Sequence, residues 1–427
     1  VIRLIYNLFW PIGLLVFLPG YLIKMFRRGG YREKFGQRLG IYNTALVHTL
    51  GKQRPTWLHA VSVGEVAIAL KLARELRKIE PDLSCVLTTT TTTGFSFAGQ
   101  NAPPWIEVMY MPLDFWPIMR RGFAVIRPAR IVLVEAEVWP NLVSRAGSLR
   151  VPLALVNARL SPRSQKRFQR FLFFVAPMFR KLDLVTVPER GDVEKWIALG
   201  VSEARIRHVG SIKYDPAGFL SAANEPTPRI FDAGAPVFFG GSTHRGEEEA
   251  LGQAFVRLRS AFPSLRLFIA PRHVERVREI RRRLEDLGLK VKFVSEITAD
   301  HSRPPDCVLL DKTGELQLWY GIATVAFVGK SLTAHGGQNP VEPIVAGVPV
   351  LFGPHMENFA KLAKALVERK GAMQVTDAEA LEHAVRILLQ DELARQTLVL
   401  NAEQVLSEHR GATERTAQLV SALSKRA

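Results

Sequence analysis

Residues Thr56–Ile79, TWLHAVSVGEVAIALKLARELRKI, decide the fold. The run TWLHAVS is apolar and β-prone, whereas EVAIALKLARELRKI repeats its apolar residues at helical spacing, so a strand turns directly into a helix. At the turn, Ser62-Val63-Gly64-Glu65 matches the S-x-x-E capping box, in which two side chains satisfy backbone donors left over at a helix start. Glu65 therefore has two readings, a helix cap and a carboxylate for chemistry. These four residues alone favour the cap.

Outward from this unit the alternation continues. Strand candidates SCVLTTT, IEVMYMPL, RIVLVEAEV, PLALVNARL and LVTVPE are separated by amphipathic stretches, and the series ends near RIRHVGSIKYD. A Pro-, Gly- and Ala-rich segment, 215–235, reads as a linker. A second series follows: PVFFGGS, LRLFIAPR, VKFVSE, CVLLDK, TVAFVGKS and VPVLFGP. The expectation is an α/β protein of two Rossmann-like doubly wound domains, 41–214 and 236–427, the latter including the terminal helices. A ligand in such a protein belongs at the carboxyl ends of the strands, in a cleft between the domains.

The chain has 427 residues, is 47% hydrophobic, and carries a formal net charge of +17, which calls for a polyanionic partner or surface. Its two cysteines, Cys85 and Cys307, fall in apolar strand candidates and read as packing residues of a reducing compartment. No clustered His/Cys spacing appears, so no protein-bound metal is expected. The apolar run from Leu4 to Ile23 approaches the length of a membrane-spanning helix, interrupted by Asn7, Pro11 and Pro19. Lys24, Arg27, Arg28, Arg32, Lys34 and Arg38 follow it. Residues 1–40 are therefore expected to be a membrane anchor with a polybasic segment that binds an anionic, cytoplasm-facing membrane surface.

Polar residues gather at the predicted strand ends. Glu135 and Glu137 close RIVLVEAEV, and Lys213 lies in GSIKYD. Ser242 and Thr243 follow a Gly-Gly turn and are read as opening a helix, whose N-terminus suits a phosphate. Neither G-x-x-x-x-G-K-[ST] nor G-x-G-x-x-G is present, which argues against a P-loop NTPase or a dinucleotide enzyme. Arg272, Glu315 and Glu342 sit in APRH, DKTGEL and AHGGQNPVEP, where Arg matches phosphate and a carboxylate accepts from ribose hydroxyls. In PRSQKRFQRFLFFVAPMFRKL, Arg163, Lys166, Arg167 and Arg170 interleave with phenylalanines, as in either an amphipathic core helix or a membrane-facing one.

Taken in order, HAVSVGE, EAEVWPNL, VNARLSPRS, GSIKYD, STHRGEE, PRH, TGEL and GGQNPVEP resemble the segments of the 3-deoxy-D-manno-octulosonic acid (Kdo) transferases of lipopolysaccharide assembly. The resemblance runs from the N-terminal segment almost to the C-terminus. It implies a GT-B glycosyltransferase fold and transfer of Kdo from CMP-Kdo to the lipid A precursor (lipid IVA) at the cytoplasmic face of the inner membrane. It further implies that Glu65 is the catalytic base and that Glu135 and Lys213 stabilise the transition state. Ser242, Thr243, Pro271, Arg272, Thr313, Gly314, Glu315, Asn339, Pro340, Val341 and Glu342 would bind the CMP-sugar. No cofactor is implied, CMP-Kdo being a donor substrate. Two positions depart from the family pattern: Lys330 stands where many relatives have glycine, and Gln338 where they often have His.

Two other readings are open. One is a membrane-associated GT-B enzyme using a UDP- or GDP-sugar. The other is a basic, membrane-tethered RNA-binding protein, which predicts steeply salt-dependent binding. No RNA-binding motif is visible and the basic residues gather beside the N-terminal segment, so no nucleic acid partner is expected.

Overall fold

The computed structural model describes residues 4–10, 13, 15, 20, 34–218, 230–232, 234–297 and 304–423. They form two units: Val1–Asp215 with Gly411–Ala427, and Pro216–Arg410.

Unit 1 holds a sheet of β1 (Thr56–His59), β2 (Cys85–Thr89), β3 (Ile106–Tyr110), β4 (Arg130–Val134), β5 (Leu153–Val156), β6 (Leu184–Val187) and β7 (Ile206–His208). Their order is β3-β2-β1-β4-β5-β6-β7 and every pairing is parallel. A parallel sheet is covered on both faces, so its strands read as continuous apolar runs. Successive side chains alternate between those faces. Accordingly Ile131 and Leu133 of β4 join one core with Trp57 and Leu155, while Val132 and Val134 join another with Leu58 and Val156. Cys85 in β2 is buried with a free thiol, which fits its reading as a packing residue.

The helix Val63–Ile79 follows β1 as predicted, and it lays Val66, Ile68, Ala69, Leu72, Ala73 and Leu76 against the second of these cores. One expectation is corrected here. The terminal helix, Ala412–Ser421, belongs to unit 1 and packs on the Val63–Ile79 helix. Its start is tied down by Asp215, whose carboxylate accepts from Gly411 N, Thr413 N and Thr413 Oγ1. Its end is tied by Ser421 Oγ, which donates to Glu80, itself paired with Arg130 at 2.6 Å. The second domain therefore ends before 411 and begins at Pro216, while 219–229 and 233 of the expected linker lie outside the described residues.

Much of the expected anchor also lies outside them, including Lys24, Arg27, Arg28 and Arg32. Among the described residues no helix is long and apolar enough to cross a membrane. Residues 4–10 are helical and bound to unit 1: Asn7 and Asn141 exchange side-chain hydrogen bonds of 2.9 and 3.0 Å, and Trp10 stacks on Phe115 at 4.9 Å. Arg38 leaves the expected polybasic set, because it is buried with its guanidinium 3.9 Å from the centre of the Tyr110 ring.

Unit 2 repeats the architecture with β8 (Val237–Thr243), β9 (Arg266–Pro271), β10 (Val291–Phe293), β11 (Cys307–Leu309), β12 (Val325–Val328), β13 (Val350–Phe352) and β14 (Met373–Gln374). The order is β10-β11-β9-β8-β12-β13-β14, again all parallel. Cys307 is buried in β11. Ser242 and Thr243 do not open a helix. They end β8, where the register slips between Gly241 and Thr243 and Ser242 takes φ of 53°, and the next helix is Glu247–Leu258.

At the start of that helix Glu247 is fully buried. Its carboxylate accepts from His244 N beyond β8, and from Lys330 N, Ser331 N and Leu332 N beyond β12, at 2.7–2.9 Å. The two loops it joins approach so closely that a Cβ on Gly329 would stand 2.4 Å from Ser242 O, so only glycine fits there. Glu247→Ala would strand four backbone donors, each worth about 1–3 kcal/mol when buried and unsatisfied. Chemical denaturation should show unit 2 destabilised by at least about 3 kcal/mol, while Glu249→Ala on the exposed side of the same helix changes little; equal effects would refute the anchoring role.

Candidate active site

In an open parallel sheet, ligands bind where the strand order reverses. Unit 1 reverses at β1 and β4, and Glu65 and Glu135 follow those two adjacent strands. Glu65 lies on the first turn of its helix, folded back onto the cap. Its Oε1 accepts from Ser62 Oγ and its Oε2 from Val61 N, both at 2.8 Å, while Ser62 Oγ accepts from Glu65 N. The Ser62 half of the capping box is realised, whereas the Glu65 half is shifted by one residue, to Val61 N. These bonds do not exhaust the carboxylate, which offers about four lone-pair sites and is only half-buried.

Glu135 comes immediately after β4 in a left-handed conformation, φ 62°, a strained state for a residue other than glycine. Burial raises its pKa and the field of Glu65 adds to that; Arg159 and Lys213 oppose both. Glu137 is pushed up to about 7, first by burial, then by Glu65, with Glu135 adding to it and the Trp139 indole opposing. Lys213 is pushed down to about 8 by burial and by Arg159, against the pull of Glu135. The three carboxylates and two cations thus share one half-buried neighbourhood. Glu135 is close enough to feel both Glu65 and Lys213, and Glu137 to feel Glu65 and Glu135.

Three contributors were missed. Arg159 lies just beyond β5, and its guanidinium is 5.8 Å from the centre of the buried Tyr214 ring. Asn157, also left-handed at φ 51°, is buried; its Oδ1 accepts from Ser211 Oγ and Ile212 N at 3.2 Å and so fixes the segment that carries Lys213. Glu247 is the third. Arg159 and Asn157 stand in VNARL at the end of a strand candidate, the signal that singled out Glu135.

In unit 2 the candidate residues end or follow β8, β9, β11 and β12, four contiguous strands whose carboxyl ends lie on one edge. Arg272 is exposed, and its N–H donates to Thr243 O, joining the β8 and β9 ends. Thr313 and Gly314 are exposed in the loop after β11, and Glu315 is 3.8 Å from Lys312. Asn339 Oδ1 accepts from Val341 N, and its Nδ2 donates to Glu342 Oε1 at 3.0 Å. The side chains of Thr243, Pro271, Pro340 and Val341 are buried, which leaves backbone as what they offer a ligand. Lys330, beyond β12, is left-handed at φ 58°, a conformation in which glycine is unstrained.

The raised Glu137 makes a measurable demand. A carboxyl that holds its proton longer folded than unfolded loses stability as pH climbs from about 4.5, its ordinary value, to about 7. Glu137→Gln removes that loss. Urea denaturation should find the variant more stable than the parent at pH 8 by on the order of 1–3 kcal/mol, with the gap closing toward pH 4.5. A gap independent of pH would contradict the buried-carboxylate assignment.

Comparison with known proteins fits this arrangement. The 3-deoxy-D-manno-octulosonic-acid transferase (kdotransferase) family matches residues 33–216. The 3-deoxy-D-manno-octulosonic acid transferase of Haemophilus influenzae is 33% identical over 91% of this chain and 91% of its own. That of Bordetella pertussis is 33% identical over 85% and 86%. Among solved structures, a putative UDP-N-acetylglucosamine 2-epimerase from Listeria monocytogenes superposes with a TM-score of 0.56 at 13% identity, over 86% of this chain and 96% of that one, a likeness of fold alone. With its two parallel α/β units and 33% identity over 91% of its length to one such enzyme, the chain belongs to the Kdo transferase family of glycosyltransferases.

Proposed function

We propose that the protein is an inverting transferase that moves Kdo from CMP-Kdo to a hydroxyl of the lipid A precursor, lipid IVA. The observation that carries this reading is the joining of Glu65, Glu135, Lys213 and Arg159 beside the strand reversal of unit 1 in a chain related over nearly its whole length to Kdo transferases. Glu65 removes the proton of the acceptor hydroxyl, whose oxygen forms the new bond to the anomeric carbon as the bond to CMP breaks and CMP departs with the electron pair. Its free lone pairs allow this without giving up the cap. The positive charge that develops on the sugar is met by Glu135, and the Kdo carboxylate by Lys213 and Arg159. The loops after β8, β9, β11 and β12 hold the CMP, and no cofactor takes part.

The same reading places the protein at the cytoplasmic face of the inner membrane, with the N-terminal helix in the interface. Two observations support this. Leu4, Leu8, Phe9 and Leu15 are 58–72% exposed although Asn7 and Trp10 bind unit 1. Phe171 and Phe173 are also exposed, beside a Pro162–Arg170 helix with no buried residue, which carries Arg163, Lys166, Arg167 and Arg170 outward. The Pro140–Ser148 helix touches both regions, through Asn141 and through the helix Leu172–Phe179, so one anionic lipid surface could meet both.

Incubation with CMP-Kdo and lipid IVA should add Kdo, read as a mass increase of the product. CMP should inhibit better than UDP or GDP, and the reverse order would transfer the assignment to another sugar nucleotide. Glu65→Gln should fold and bind CMP but lose ~100- to 10,000-fold in turnover, the usual contribution of a general base. Parental turnover in that variant would remove Glu65 from the mechanism.

A further inference from the structure

Two loops of unit 2 carry a cluster that the reaction does not use. His335, beyond β12, and His355 and Glu357, beyond β13, place their ligating atoms all within 4.8 Å of one another. Glu357 Oε1 lies 3.1 Å from His335 Nδ1 and 3.5 Å from His355 Nδ1, and the two imidazole rings are 3.9 Å apart. A tetrahedral Zn2+ with bonds near 2.0–2.2 Å has its ligand atoms about 3.3 Å apart. The two measured separations straddle that value, so an ion could enter with small side-chain rotations.

The supports of a metal site are also present. Glu357 Oε2 accepts from Gly336 N at 2.6 Å, which orients the carboxylate and leaves Oε1 toward the imidazoles. Asn358 N donates to Gly336 O at 2.8 Å and His355 N to Ser331 O at 2.9 Å, so the two ligand-bearing loops are already fastened together. We propose that His335, His355 and Glu357 bind one Zn2+, with the fourth position open to solvent. Two imidazoles and one carboxylate select a borderline transition ion over Mg2+ or Ca2+, which seek oxygen. The assignment departs from the expectation of no protein-bound metal and is independent of the proposed transfer reaction.

The test uses the full chain, stripped with a chelator and titrated with Zn2+ in competition with a chromophoric chelator. The parent should bind one equivalent more than the His335→Ala/His355→Ala variant, and millimolar Mg2+ should not displace it. Loss of a group that merely orients a ligand costs ~10–100-fold in metal affinity, so Glu357→Gln should weaken binding by at least tenfold. X-ray absorption of the one-to-one complex should show imidazole scattering. His335 is 76% exposed, so metal-free melting of a single His335→Ala variant should match that of the parent. Titrations that coincide for the parent and the double variant, or an absorption spectrum without imidazole, would overturn the assignment.

Discussion

Parallel strands put all of their carboxyl ends on one edge of a sheet, and in each unit the chain turns back across its first strand, so that two loops diverge at β1/β4 and at β8/β12. Backbone just past these strand ends has left the ladder and must find partners elsewhere. Both units answer in the same way. The helix after the first strand begins with a carboxylate that reaches back to a backbone N–H between strand and helix: Glu65 to Val61 N, and Glu247 to His244 N. The two then differ in how much of the carboxylate is used. Glu247 is fully buried and accepts four N–H groups from both loops, filling the roughly four lone-pair sites of a carboxylate. Glu65 is half-buried and accepts one N–H and one hydroxyl. The same element is a fastener in one unit, while in the other it keeps capacity for a further partner.

Backbone strain follows the same edges. Among the described residues, eight other than glycine have positive φ, and four of them, Glu135, Asn157, Ser242 and Lys330, stand at or just past the ends of β4, β5, β8 and β12. Left-handed backbone costs an L-residue roughly 1–2 kcal/mol, so such positions persist only where surrounding contacts fix them. Asn157 shows how, since its Oδ1 holds Ser211 and Ile212 while its own N–H donates to Thr186 Oγ1. Lys330 is held by the Glu247 carboxylate on its N–H and by Gly337 N on its carbonyl. A side chain at that position is thus tolerated although glycine would fit without strain.

The fold was legible because parallel strands buried on both faces make unbroken apolar runs, and the helices between them keep a distinct period. Strand ends were legible for the same reason, and with them Glu65, Glu135, Arg272 and Asn339. Ser242 and Thr243 were misread as a helix start because a Ser-Thr pair after glycines signals a cap, whereas the slipped register prolongs β8 by two residues. The return of Ala412–Ser421 to unit 1 was not legible, since it rests on Asp215, some two hundred residues distant in sequence. The His335, His355 and Glu357 cluster was hidden likewise, because its members come from two loops and have no metal-ligand spacing.

Charged groups of unit 1 gather at the strand reversal, where each feels several others. Burial raises Glu135 and Glu137 and lowers Lys213, so each charged form is disfavoured, and Arg159 and Lys213 only partly offset the three carboxylates. A structure optimised for stability alone would bury apolar residues here. The cost is instead concentrated at the strand reversal, where Glu135 is also held in strained backbone. Coupled groups of this kind exchange protons as a set, and changing the charge of one moves the titration of the others. An incoming anion would favour the charged form of Lys213, and a developing cation would favour ionised Glu135 and Glu137. A ligand of separated charge would therefore relieve part of that cost, and the difference would help to bind and orient it.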